Sequence, residues 1–296
     1  MVGSALPPGA RGYRMPRSSL RHVLDEMSAH AQAVRAHEPG ARAGRNADDL
    51  HEMRVAVRRL RAILRASREL FDPSAVDRLR SELAWLGARL GLVRDLDVLH
   101  AYLQPRLAAL EGSEHRAGQR VLRRLTADRG RARAGLNEAL DSPRYSRILG
   151  QLDAFLAEPP AAASDVSLPD VAATEWKRLR KAVQKLPGRP SADDLHAVRI
   201  KVKRARYAAE LARAAAGARG KRFINQAKKL QDILGDLQDA VVIEQYLHDA
   251  IDRTEPAQAL QKHLVKRQRK RRKKARAAFF EEWPKLKRRG REAWIA

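Results

Sequence analysis

Apolar residues along this chain return every three or four positions and nowhere settle into strict alternation. Leu50, Met53, Val57, Leu60 and Leu64 make one such stripe, the spacing of a helix that buries a single face. Leu195, Val198, Val202, Ala205 and Ala209 make another. Between Pro-, Gly- and Asp-containing breaks the chain is dominated by Ala, Leu, Arg, Lys, Glu and Gln, residues that lose little on entering a helix. Period and breakers together predict about nine helical segments, over 17–36, 48–71, 74–110, 113–140, 144–157, 170–186, 192–216, 221–252 and 256–289. Asp48 or Asp49 and Ser191 are the expected N-caps, and Gly217 and Gly220 the expected stops. With no strand pattern, the fold class is all-α.

One phrase is written twice. DDLHEMRVAVRRLR at 48–61 returns as DDLHAVRIKVKRAR at 193–206. Asp48, Asp49, Leu50, His51, Arg54, Val57, Arg59 and Arg61 recur as Asp193, Asp194, Leu195, His196, Arg199, Val202, Arg204 and Arg206. At almost the same offset, Leu90, Gly91, Asp95, Val98, Tyr102 and Leu103 recur as Leu234, Gly235, Asp239, Val242, Tyr246 and Leu247. Two blocks sharing one shift imply duplicated helical halves, 18–157 and 165–290, joined through the Pro- and Ala-rich stretch near 158–170. Residues 1–17 read as a flexible N-terminal extension. Long helices with short connections favour antiparallel bundles, so the expected architecture is two pseudo-symmetric four-helix bundles in tandem.

Charge then narrows the partner. Lys and Arg number 60 against 35 Asp and Glu, a formal charge of +25, which calls for a polyanion: nucleic acid, an anionic membrane or a phosphate polymer. Cysteine is absent, which excludes disulfides, thiol catalysis and Cys-based zinc sites. No apolar run has the length of a membrane span or the core of a signal peptide. The expectation is a soluble cytoplasmic protein, and an oligomer is compatible with the pattern.

The basic residues are placed, not scattered. His51, Arg54, Arg58, Arg61 and Arg65 fall on the arc beside the first apolar stripe, and His196, Arg199, Lys203 and Arg206 on the arc beside the second. Each arc borders the core, so duplicated halves can set two cationic rows around one groove. Such rows repel one another when empty, and more strongly where water is scarce. A ligand is the economical explanation.

Other chemistry finds little support. HEMRV at 51–55 begins like a zinc-protease helix but has Val55 where the second ligand belongs. GARGK at 217–221 is too short for a phosphate-binding loop. Asp95 and Asp97, with Asp239 in the second half, could hold Mg²⁺ for phosphoryl hydrolysis; the weightier reading is that Asp95 and Asp239 orient neighbouring Arg and His side chains. No metal, cofactor or catalytic residue is assigned. The run KHLVKRQRKRRKKARAAFF at 262–280 reads as a final helix with a wet basic face.

The phrases DDLHEMRVAVRRLR and LGLVRDLDVL, then LHAVRIKVKRARYAAE and KKLQDILGDLQDAVV, resemble those of the CHAD domain, the conserved-histidine α-helical domain. The resemblance covers residues 18–290. It implies two bundles around a basic central channel that binds inorganic polyphosphate, and association with polyphosphate granules; the residues themselves point to binding and not to an enzyme. Carried over by position, it implies binding roles for His51, Arg54, Arg58, Arg61, His196, Arg199, Lys203 and Arg206. Arg94 and Lys228 match basic positions of the accompanying phrases, and Arg21 lies on the first helix. Lys228 has Ala84 opposite it and Arg94 has Gln238, so the channel should be asymmetric in charge. Residues 1–17 are too few for the triphosphate-tunnel domain that many family members carry.

Two rivals stand beside this reading. One is an RNA- or DNA-binding protein gripping phosphate backbones at low salt. With aromatics at 5% of the chain it lacks stacking platforms for bases. The other is the Mg²⁺-dependent polyphosphate hydrolase on Asp95, Asp97 and Asp239. A polyanion stabilises imidazolium, so binding should be tighter at pH 6 than at pH 8.

Overall fold

The computed structural model describes residues 17–44, 46–162, 167–251 and 254–294. Residues 1–16 of the expected extension and the middle of the expected joint fall outside them. The described residues form nine α-helices: α1 (Arg17–Ala43), α2 (Ala47–Ala66), α3 (Pro73–Ala108), α4 (Gly112–Asp141), α5 (Pro143–Ala157), α6 (Leu168–Gln184), α7 (Ala192–Leu211), α8 (Arg213–Ala250) and α9 (Glu255–Trp294). The all-α expectation holds, and most boundaries lie within a few residues of those predicted.

The departures have local causes. α1 runs through Pro39 to Ala43 instead of breaking near residue 37. Arg42 holds this last stretch, its Nε donating to Glu38 Oε1 at 2.8 Å and its Nη2 to the Leu140 carbonyl at 2.7 Å. Gly40 is needed here, since a Cβ would meet Asp49 Oδ2 at 2.0 Å. Asp49 instead accepts from His37 Nδ1 at 2.9 Å, and the N-cap of α2 is Asn46, whose Oδ1 accepts from Asp48 N–H at 2.9 Å. Ser191 caps α7 as expected, in a reciprocal pair with Asp194. α2 ends early at Ala66, where buried Ser67 turns its hydroxyl onto the Ile63 carbonyl and a short 3₁₀ turn follows. Gly217 is a kink inside α8 at φ 52°, and Gly220 lies within the helix beyond it.

Three apolar cores hold the helices together. The first gathers α1, α2, the N-terminal half of α3, the end of α4, and α5, with Met27, Leu60, Leu64, Leu86, Leu136 and Ile148 fully enclosed. The second gathers α6, α7, the N-terminal half of α8 and the C-terminal half of α9 around Trp176, Val202, Phe223 and Phe279. A third joins the far halves of the α3–α4 and α8–α9 hairpins through Leu103, Leu107, Leu125, Leu247, Leu260 and Leu264. The first core also takes in Leu168 and Ala172 of α6 and Leu211 of α7. α2 packs on α7 and α4 on α9, so the halves meet along two seams.

Every residue of the two predicted apolar stripes is buried. Deleting one buried leucine side chain costs about 2–5 kcal/mol, so the stripes fix how α2 and α7 are rotated. The direction of both basic arcs follows from that rotation.

Candidate functional site

Because α2 packs against α7, the two arcs open into one cleft between the halves. Its middle holds four residues, two from each copy. Arg54 lies 3.6 Å from Asp95, and Arg199 is under the influence of Asp239. Burial lowers the proton affinity of both guanidinium groups; Asp95 opposes this at Arg54 and Asp239 at Arg199, while Arg58 adds to it at both. Arg58 therefore stands between the copies. Partial desolvation by neighbouring side chains raises the carboxyls of Asp95 and Asp239 above their usual range, against the pull of Arg54 and Arg199, while both residues stay open to solvent. Two carboxylates among so many cations organise the centre without neutralising it.

Toward the end of α2 the cleft becomes a cavity of about 190 Å³ between Arg58, Arg61 and Arg65 on one side and Lys203, Arg204 and Tyr207 on the other, with Arg80 of α3 and Glu175 of α6 closing it. Lys203 shows the consequence. Burial, then Arg199, Arg58, Arg54 and Arg61, push its ammonium down to about 8. Burial alone would raise the Tyr207 phenol, but Arg58, Arg206 and Arg59 outweigh it and lower it. The Nε–H groups of Arg65, Arg80 and Arg199 are buried with no acceptor among the described residues. A ligand that brings oxygen atoms would satisfy these donors, each worth about 1–3 kcal/mol when buried without an acceptor. Arg65 and Arg80 also line an adjoining space of about 480 Å³ that reaches Arg68 and Arg178.

The histidines occupy matching places with unlike neighbours. His196 donates Nδ1–H to Gln238 Oε1 at 2.7 Å, leaving Nε2 to act as an acceptor or, once protonated, a second donor. His51 has Arg94 where His196 has Gln238. Burial, then Arg94, press its imidazole below the usual range, with Arg58 and Arg54 adding to this and Glu52 opposing it. The expected charge asymmetry is thus present at the histidines.

Not every residue expected here gathers. Arg206 is buried, pairs with Glu210 at 3.3 Å and lies over the Tyr207 ring at 4.7 Å; Glu210 also takes Arg59 of α2, so this group ties the halves together behind the cleft. Arg21 on α1 and Lys228 on α8 are exposed and do not line the cavity. Asp97 is buried and taken by Arg129 at 2.7 Å and Arg133 at 3.6 Å, both on α4, which separates it from Asp95. Among the described residues no three His, Asp or Glu side chains converge to hold a metal, and no helix is long and apolar enough to cross a membrane. Sequence reasoning missed Arg80, Arg204, Tyr207 and Glu175. Arg204 repeats Arg59 and was open to discovery from the duplication; Arg80, Tyr207 and Glu175 carry no repeated signal.

Comparison with known proteins bears on the family and the fold. The CHAD domain pattern matches residues 26–248. Uncharacterised proteins from two strains of Mycobacterium tuberculosis are 37% identical over 212 residues, 68% of this chain and 40% of theirs, so the chain spans less than half the length of these relatives. Among solved structures, PptA from Streptomyces chartreusis superposes with a TM-score of 0.74 at 25% identity, covering 90% of this chain and 98% of its own. The CHAD domain from the plant Ricinus communis gives 0.69 at 26% identity, covering 88% and 90%. The chain belongs to the CHAD domain family, a helical family associated with polyphosphate.

Proposed function

We propose that the cleft between α2 and α7 binds inorganic polyphosphate, and that the protein acts by binding rather than by turnover, at the surface of polyphosphate granules. The observation that carries this reading is Lys203. Its principal neighbours are Arg199 of its own copy and Arg58, Arg54 and Arg61 of the other, with no carboxylate among them. A linear polyanion with about one negative charge per unit relieves this repulsion along the whole row, and each guanidinium can give it two parallel hydrogen bonds. Contact at five such cations predicts a salt dependence with a slope near −3.5, taking the single-strand value per contact.

The test is a titration with polyphosphates of defined length at two salt concentrations, beside the variant H51A/R54E/R58E. Binding should fall steeply with salt and vanish in the variant while its helicity is unchanged. Competition decides between polyanions. Polyphosphate should displace RNA far more effectively than RNA displaces polyphosphate, and the reverse result would favour the nucleic-acid reading. Incubation with Mg²⁺ should leave the polymer length unchanged; shortening that depends on Asp95 and Asp239 would overturn the non-catalytic reading.

A further inference from the structure

The basic run of α9 divides into two faces with opposite fates. Arg269 and Arg272 turn to Glu244 of α8, at 3.4 and 2.8 Å, which offsets part of their charge. Arg267, Lys270 and Arg271 turn the other way and, with Tyr102 and Arg106 of α3, line an open groove of about 430 Å³ with no carboxylate among the described residues that line it.

This groove is organised. Gln268 is fully buried and fixes it from within, donating Nε2–H to the Tyr102 hydroxyl at 2.8 Å and accepting from Arg271 Nη1 at 3.1 Å. Arg106 lies over the Tyr102 ring at 3.7 Å and Arg271 at 5.0 Å. Arg106 also donates Nη1–H to the Tyr102 carbonyl at 2.5 Å, while its buried Nε–H finds no acceptor among the described residues. Stacking on a ring holds a guanidinium in place and leaves its edge free for oxygen atoms. Two guanidinium groups are thereby oriented in advance, with donors to spare.

The duplication supplies an internal control. Tyr246 repeats Tyr102 in the second half, yet its hydroxyl donates to Asp128 Oδ2 at 3.0 Å, and Asp128 also pairs with Arg131. One copy of the position is closed by a carboxylate; the other is ringed by cations. Arg271 is also near enough to the cleft for its charge to act on Asp239.

We propose that the Tyr102–Arg106–Lys270–Arg271 groove is a second phosphate-binding station, which takes the continuation of a polyphosphate chain leaving the central cleft past Asp239. The proposal rests on the polyphosphate reading of the cleft and adds a preference for long chains. A short oligomer is satisfied by the cleft alone, whereas a long one gains a tethered second contact.

The test uses the full chain and the variant R106A/R267A/K270A, which leaves Arg271 and the cleft intact, with tripolyphosphate and long-chain polyphosphate as probes. Circular dichroism and a melting curve establish that the variant is folded. The expected result is tripolyphosphate affinity unchanged within about twofold, and long-chain affinity reduced on the order of tenfold, with a salt slope shallower by about 2. Long-chain affinity equal to wild type would overturn the second station and leave the cleft reading standing. Loss of tripolyphosphate and long-chain binding alike would make the groove the principal site and overturn the cleft reading. Failure of wild-type protein to bind either probe would remove both.

Discussion

His196 rests against Gln238 at 2.7 Å, whereas His51, at the matching place in the first half, faces Arg94 and is pressed toward its neutral form. The two helices share their apolar stripes, their turn positions and their flanking aspartates, so the backbone sets both imidazoles at matching places on their helices. One residue on the next helix separates them. An amide acceptor fixes a tautomer and orients the ring; a guanidinium adds a cation and disfavours the charged ring. A duplicated frame has thus been given one copy tuned for orientation and one tuned for charge.

Arg58 is the place to break this comparison, because it acts on His51 and Arg54 in its own half and on Arg199, Lys203 and Tyr207 in the other. Arg58→Glu should reduce polyphosphate affinity by roughly a hundredfold at moderate salt, replacing one contact with a repulsion, as read by titration calorimetry. A loss no larger than that from an exposed lysine would show that the copies do not share the site.

Lys203→Met comes next, with an expected loss of about five- to tenfold in affinity. It should also stabilise the empty protein. The folded ammonium titrates at about 8, below its ordinary value of 10.5. The native state therefore bears the full penalty below pH 8 and is relieved of it as pH rises from 8 toward 10.5. Lys203→Met should melt about 2 °C above wild type at pH 7, and the difference should fade by pH 10. For binding the sign reverses. A polyanion favours protonated Lys203, His51 and His196, so affinity should fall from pH 6 to pH 9, with a step near pH 8 that Lys203→Arg abolishes.

The smallest effects sharpen the contrast directly. Arg94→Gln should give the first half the setting of the second, raising the imidazole of His51 in an NMR titration and weakening binding about threefold. Gln238→Arg should remove the acceptor of His196 Nδ1–H, add a cation beside the ring and strengthen binding by a similar factor. An unchanged His51 titration in Arg94→Gln, with affinity unchanged in both variants, would show that the residue on the next helix does not set the difference.

Much of this was legible in the sequence. The stripes through Leu60 and Val202 gave the rotation of α2 and α7, because burial of apolar surface fixes a helix about its axis. The recurrence of His51 and Arg54 gave the pairing of the arcs. Arg206 was misleading: it sits on the predicted arc yet is drawn behind the cleft by Glu210 and Tyr207, a competition between neighbours that spacing does not reveal. Arg80 and Glu175 arrive from α3 and α6, and only the packing of the halves brings them in. The continuation of α1 past Pro39 depends on Arg42 reaching Leu140, a contact far away in sequence.

The central claim is that two copies of one motif grip a single polyphosphate chain in a common cleft. Titrating a short polyphosphate of defined length into Arg54→Glu and, separately, Arg199→Glu tests it most directly. The account predicts one site per wild-type molecule and loss of that whole site in either variant. Two sites in the wild type, with one surviving in each variant at undiminished affinity, would contradict it.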